Sequence, residues 1–91
     1  VMWKFSDENK KENMNTYKKM LMELLPIIKE IKHMEIGKEI NIGGGNFDMV
    51  LVSEFKSLAD LQAYKEHPEH VKALEFCSTI CTERTCVDYE I

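Results

Sequence analysis

The sequence predicts an α+β domain in which a four-stranded antiparallel sheet carries its helices on one face. Apolar residues alternate with polar ones near both ends of the chain and in two stretches near its middle, which is the period of half-buried strands. Two segments between these stretches carry apolar residues at steps of three and four, the period of an amphipathic helix. The resulting order is β-α-β-β-α-β, and right-handed crossovers place the helices on the same side of the sheet.

The first strand and the first helix follow from these two periods. A strand is predicted over Val1–Phe5, whose first residues resemble the middle of a strand, so we expect a few residues to precede Val1 in the natural chain. Ser6–Asn9 offers a turn or a helix N-cap, and from Asn13 onward the apolar residues form one helical stripe. The helix is predicted to end near Leu25 or to kink there, because Pro26 cannot continue its hydrogen-bond ladder.

The middle of the chain predicts a hairpin. Alternating apolar residues predict a second strand over Met34–Ile42 and a third over Met49–Phe55. The glycine-rich run Gly43–Asn46 between them supplies a turn. Strands joined by a short turn pair antiparallel.

The last third of the chain predicts a broken helical segment and a closing strand. Ser57 is a good helix cap, and the His67-Pro68 pair ends the helix that Ser57 begins. Pro68 fits the first turn of a further helix. We expect the inward stripe of that helix to comprise Val71, Leu74, Cys77 or Ser78, and Cys81. The closing strand is predicted over Thr85–Ile91.

Composition restricts the kinds of protein that the chain can be. Its 91 residues predict a single domain, residues 1–91, which buries only roughly 60–65% of its unfolded surface. The net charge of −4 argues against binding to nucleic acid. No apolar run approaches the roughly 18 residues of a membrane span, and no signal peptide is visible. Three cysteines without a disulfide-scaffold pattern predict free thiols in a cytoplasmic protein.

The sheet face opposite the helices predicts a partner. The first three strands also carry apolar residues toward that face, and an uncovered apolar face binds a partner or a ligand. In this ferredoxin-like βαββαβ arrangement, two sheets packed face to face form a dimeric α+β barrel. We therefore expect a homodimer whose barrel holds a small hydrophobic ligand.

Three segments carry a resemblance to a known family. They are Val1–Phe5, Phe55–Tyr64 followed by His67-Pro68-Glu69-His70, and Val87-Asp88-Tyr89-Glu90. In this order they resemble the first strand, the segment that leads into the His-Pro-x-His motif, and the closing strand of the stress-responsive dimeric α/β-barrel (Dabb) family. The resemblance implies a dimeric barrel with an internal cavity. Most members have no established activity, some plant members are linked to stress tolerance, and one branch resembles cofactor-free polyketide cyclases.

Tyr64 and His70 are the candidate catalytic residues. In the cyclase branch the matching residues are the catalytic pair, and a tyrosine with a neutral histidine suits general acid–base chemistry. Two features depart from that branch: Met49 stands where it places a histidine, and its first-strand histidine would lie about two residues before Val1. The alternative is that the motif is structural or orients a ligand.

Trp3, Met49 and His67 complete the candidate pocket or motif residues. No cofactor and no metal site is expected, because the spacing of Cys77, Cys81 and Cys86 matches no common zinc pattern. Small buried residues at a contact between helix and sheet explain the first two cysteines better. The sequence thus leaves two functions open: a non-catalytic dimeric domain that holds a small apolar molecule, and a cofactor-independent cyclase-, isomerase- or monooxygenase-like enzyme acting on a small hydrophobic carbonyl compound.

Overall fold

A computed structural model describes residues 1–91 and confirms the ferredoxin-like α+β fold. The elements are β1 (Met2–Phe5), α1 (Lys10–Met22), β2 (Ile31–Lys38), β3 (Met49–Phe55), α2 (Leu58–Glu66), α3 (Pro68–Ile80) and β4 (Cys81–Thr85). The sheet has the order β2-β3-β1-β4, and each pair of neighbouring strands is antiparallel. None of the three helices is long and apolar enough to cross a membrane.

The core lies between the sheet and its helices. Trp3 and Phe5 point from β1 toward the helices, and both contact the ring of Tyr17 on α1 edge to face. Tyr17 is only 1% exposed and also contacts Phe76 on α3, so it joins three elements. The other buried apolar residues are Leu21, Leu24, Ile28, Ile31, Met34, Met49, Leu51, Tyr64, Ala73, Cys77 and Ile80.

The second strand was predicted too far along the chain. It ends at Lys38, and Ile40 and Ile42 are 75% and 85% exposed in the loop that follows. Asn41 adopts a positive φ of 60°, which turns the chain away from the sheet. The alternation of apolar and polar residues in the sequence therefore extends beyond the last residue of the strand.

The prediction of the closing strand was also wrong in its bounds. β4 covers Cys81–Thr85, and residues 86–91 form no strand. Thr85 pairs with Met2, the first residue of β1, and this is the last pair between the two strands. Val87, Tyr89 and Ile91 are consequently exposed.

The helices differ from prediction in one end and in one face. α1 begins at Lys10, directly after the predicted cap segment Ser6–Asn9, and ends at Met22, before Leu25 and Pro26. α3 begins at Pro68 as predicted, but it buries His70, Ala73, Cys77 and Ile80. The inward stripe therefore begins with His70, and Val71 is exposed instead.

The face of the sheet opposite the helices is uncovered. Met2 on β1 and Val52 on β3 are 42% and 48% exposed there, with Val50 partly buried beside them. An ion pair between Lys4 and Glu83, with 3.3 Å between nitrogen and oxygen, lies on the same face. The apolar residues of this open face come from β1 and β3, whereas β2 places Glu35 and Gly37 opposite Val52 and Val50. The prediction that all three strands carry apolar residues there was therefore wrong for β2.

Candidate functional site

The break between α2 and α3 is built by helix caps. The hydroxyl of Ser57 accepts a hydrogen bond of 3.2 Å from the backbone of Asp60, as the sequence predicts. His67 ends α2 in an extended conformation, because the residue before a proline avoids the α region. Its Nδ1 accepts a hydrogen bond of 3.1 Å from the backbone N–H of Glu69, so His67 is the N-cap of α3. The caps fix the angle at which His70 enters the core.

Tyr64 and His70 are in direct contact. Their ring centroids are 4.2 Å apart with an angle of 42° between the planes, and the residues are 5% and 8% exposed. The ring of Phe55 on β3 also packs against that of Tyr64, with 5.0 Å between the ring centroids. The two candidate catalytic residues therefore form one buried cluster at the break between helices.

Hydrogen bonding determines the tautomer of His70. Its Nδ1 lies 3.2 Å from the carbonyl oxygen of Lys65. A carbonyl only accepts, so Nδ1 carries the proton in the neutral ring and Nε2 keeps a free lone pair. Burial lowers the pKa of His70, and this is the largest effect. The hydrogen bond to Lys65 raises the pKa, whereas the neighbouring charges of Arg84, Lys65 and His67 lower it. His70 is thus held in the neutral form, which a general base requires.

The hydroxyl of Tyr64 is buried without a hydrogen-bond partner. Burial raises the pKa of Tyr64 to about 12, although the positive charge of Arg84 opposes the shift. The phenol is therefore protonated at neutral pH and can donate a hydrogen bond to a group placed against it.

Arg84 is a candidate site residue that the sequence reasoning missed. It lies on β4 opposite Trp3, on the side of the sheet that faces the helices, and its charge acts on both Tyr64 and His70. It is the only arginine in the chain and forms no ion pair. The predicted closing strand began one residue later, so Arg84 fell outside it; its uniqueness was the available signal.

Trp3 and Met49 form a second buried group. They pair across β1 and β3, and each is 2% exposed. The indole N–H of Trp3 has no partner, and its ring contacts Tyr17 and neither Tyr64 nor His70. The five predicted residues thus fall into two groups: His67, Tyr64 and His70 at the helix break, and Trp3 with Met49 in the core.

Two of the depressions on the surface are lined by neither Tyr64 nor His70. One lies among the charged residues Lys29, Glu30, Lys32, Lys56 and Asp60. The other, of about 510 Å³, adjoins the open sheet face and the loop before β3. It is lined by Met2, Gly37, Lys38, Glu39, Gly45, Asn46, Phe47, Met49 and Val50. No three His, Cys, Asp or Glu residues are grouped closely enough to hold a metal ion.

The low pKa of His70 makes stability depend on pH. In the unfolded chain histidine binds a proton near pH 6.5, whereas the folded chain resists it. Below that pH the unfolded state therefore binds more protons than the folded state does. The contribution of His70 to the free energy of unfolding is complete above about pH 6.5 and is lost as pH falls through the folded pKa. We expect the free energy of unfolding in urea to fall between about pH 8 and pH 5, by about 1.4 kcal/mol per unit of pKa difference.

Two variants isolate this effect. His70→Asn should flatten the part of the pH dependence due to this residue, while His33→Asn, at an exposed histidine of β2, should leave it intact. Equal pH profiles for the wild type and His70→Asn would contradict a buried neutral His70.

Comparison with known proteins gives a family and a fold. The family model described as "Stress responsive A/B Barrel Domain" matches residues 1–91. Among curated proteins there is no match.

Solved structures with the same fold come from several organisms. A dimeric protein of unknown function and ferredoxin-like fold from Bacteroides fragilis is 35% identical, with a TM-score of 0.88 over 99% of this chain and 90% of that one. A dimeric ferredoxin-like protein of unknown function from Thermobifida fusca is 22% identical, with a TM-score of 0.89 over 99% and 85%. A protein of Arabidopsis thaliana is 21% identical, with a TM-score of 0.76 over 97% and 94%. The last two show the fold alone.

Proposed function

The chain belongs to the stress-responsive A/B barrel domain family, and from that premise we propose that it is a homodimer whose facing sheets enclose a site for a small, mostly apolar molecule. The observation that carries this proposal is the uncovered face of the sheet, where Met2 and Val52 are each more than two-fifths exposed.

A second copy of the chain fits this face better than solvent does. Burying Met2, Val50 and Val52 against the same residues of a partner removes apolar surface from water, at roughly 25 cal/mol per Å². The Lys4–Glu83 ion pair on this face remains satisfied within each copy. The 35% identical relative from Bacteroides fragilis is described as dimeric, which supports the same assembly here.

The depression beside the open face supports the ligand site. Its volume of about 510 Å³ lies within the range of roughly 300–1,000 Å³ that small-molecule pockets occupy. Apolar side chains of Met2, Phe47 and Val50 line it together with the polar side chains of Lys38 and Asn46. A partner placed over the sheet would close this open depression. The chemistry of the lining favours a molecule with an apolar body and one or two polar groups.

Catalysis at Tyr64 and His70 is the second candidate function. A neutral His70 with a free Nε2 beside a buried, unpartnered Tyr64 hydroxyl favours it, because this pair can take one proton and donate another. The unpaired positive charge of Arg84 would stabilise an enolate formed from a carbonyl substrate. The two rings are buried in the core, which favours binding without turnover.

Native mass spectrometry of the protein purified from cells tests the ligand site. We expect a small molecule to be retained by the dimer and released on denaturation. Asn46→Trp should preserve the dimer, because Asn46 lies in the exposed loop before β3 and outside the proposed interface, but it should lose the molecule because the larger ring occupies the depression.

The two parts of the proposal can fail separately. If the wild type and the variant dimers retain the same molecule, the ligand binds elsewhere. If the dimer never carries a molecule, the proposed binding function is wrong. A compound that is recovered chemically altered after incubation would favour the catalytic candidate.

A further inference from the structure

Two cysteine thiols meet where α3 passes into β4. The sulfur atoms of Cys77 and Cys81 are 3.2 Å apart. The backbone N–H of Cys81 donates to the carbonyl of Cys77, so the main chain holds the two residues together as well. Both cysteines are free thiols in this structure, and so is Cys86.

The position of Cys81 differs from the one that the sequence predicts. From the sequence, both cysteines would lie on one helix, where side chains four residues apart are poorly oriented for a bond. In the structure the helix ends at Ile80, and Cys81 is extended with φ −107° and ψ 143°. The side chain of Cys81 therefore leaves the chain from a strand, and its sulfur already contacts that of Cys77.

The surroundings of Cys77 and Cys81 differ from those of the third cysteine, Cys86. Cys77 is 5% exposed and lies beside the hydroxyl of Tyr17, whereas Cys81 is partly exposed. Cys86 is exposed, and its sulfur lies 3.4 Å from a carboxylate oxygen of Asp88. A small oxidant can therefore reach Cys81 from solvent, and the neighbour nearest to the oxidised sulfur is Cys77.

We propose that Cys77 and Cys81 are a modification site, a dithiol that hydroperoxides oxidise to an intramolecular disulfide. The Cys81 thiol loses its proton to solvent, and the thiolate attacks the O–O bond of the peroxide. This forms a sulfenic acid and releases hydroxide or alkoxide, which takes up a proton from solvent and becomes water or an alcohol. The sulfur of Cys77 then attacks the sulfur of Cys81; the S–O bond breaks, and the oxygen leaves as water with the proton of Cys77. The two thiols lose two electrons in all, and the peroxide accepts them.

The groups around Cys81 make this oxidation slow at neutral pH. Burial raises the pKa of its thiol, and the neighbouring Cys77 and the carboxylate of Asp48 raise it further. Tyr17 faces the pair from α1 and is protonated, because burial raises its pKa too. The thiolate is therefore scarce at neutral pH, and the rate of disulfide formation should rise with pH.

Peptide mapping after treatment with hydrogen peroxide tests the site. Trypsin cuts after Lys72 and Arg84, so one peptide, residues 73–84, contains both cysteines, and Cys86 lies in the next. After oxidation and alkylation, we expect peptide 73–84 to lack two hydrogen atoms and carry no alkyl group. Dithiothreitol should restore two alkylatable thiols in that peptide.

Single variants decide between the disulfide and ordinary thiol oxidation. Cys86→Ser should leave the disulfide unchanged, whereas Cys81→Ser should abolish it and leave Cys77 alkylatable after denaturation. Peptide 73–84 with two alkylatable thiols after prolonged peroxide treatment, or with a sulfinic acid at Cys81 and no disulfide, would overturn the proposal.

Discussion

Replacing Val52 with lysine should convert the protein from a dimer to a monomer in dilute solution. Val52 lies on the central strand β3 and is 48% exposed on the open face, where the proposed partner packs. In a symmetric dimer the substitution introduces a lysine from each copy into the interface, and removing these charges from water is costly even with Glu35 opposite Val52 on β2. The fold itself should be little affected, because surface substitutions usually change stability by no more than about 0.5 kcal/mol.

Light scattering behind a sizing column measures the change, and circular dichroism checks the fold. The matched control is Val71→Lys, the same substitution on the outer side of α3, where valine is 38% exposed. The control should remain dimeric. If Val52→Lys stays dimeric, or if Val71→Lys alone becomes monomeric, the interface lies on another surface.

Replacing Trp3 with alanine should cause the largest loss of stability of any site candidate. Trp3 is 2% exposed, and its ring packs 5.2 Å from that of Tyr17, the residue that joins β1, α1 and α3. Removing so large a buried ring costs about 3–5 kcal/mol, the lost burial plus the cavity left behind. Urea unfolding at a fixed protein concentration measures the loss, because the stability of a dimer depends on concentration.

Trp3→Phe separates a core role from a pocket role. It keeps an aromatic ring against Tyr17 and removes an indole N–H that has no partner, so its cost should be much smaller. A cost of less than about 1 kcal/mol for Trp3→Ala, together with a changed ligand, would make Trp3 a pocket residue rather than part of the core.

The parts of the fold that depend on neighbouring residues were predictable. The third strand, Met49–Phe55, has the predicted bounds because alternation and the preceding turn both mark it. The caps at Ser57 and His67 follow from local chemistry, a hydroxyl in one case and a following proline in the other. Such interactions involve residues two or three apart and need no knowledge of the rest of the fold.

The errors arose where distant parts of the chain decide the outcome. The alternation of Val87, Tyr89 and Ile91 is typical of a strand, but a strand needs a paired neighbour, and the pairing between β1 and β4 ends at Met2 and Thr85. Likewise, the spacing of α3 gives a stripe, but only the packing against the sheet determines that His70 rather than Val71 faces inward.

The candidate site was predictable as a motif but not as an environment. His67, Tyr64 and His70 could be named from the sequence, and the structure brings them together. The absence of a partner for the Tyr64 hydroxyl and the proximity of Arg84 depend on how α2, α3 and β4 pack. These properties decide the chemistry of the site, and no spacing in the sequence encodes them.

Sedimentation equilibrium of the unmodified chain, at concentrations from about 1 to 100 μM, tests the central claim most directly. The open sheet face predicts a mass twice the 10.6 kDa of one chain over most of that range. A mass of 10.6 kDa throughout would show that the face is stable in water without a partner, and it would contradict both the dimer and the enclosed site.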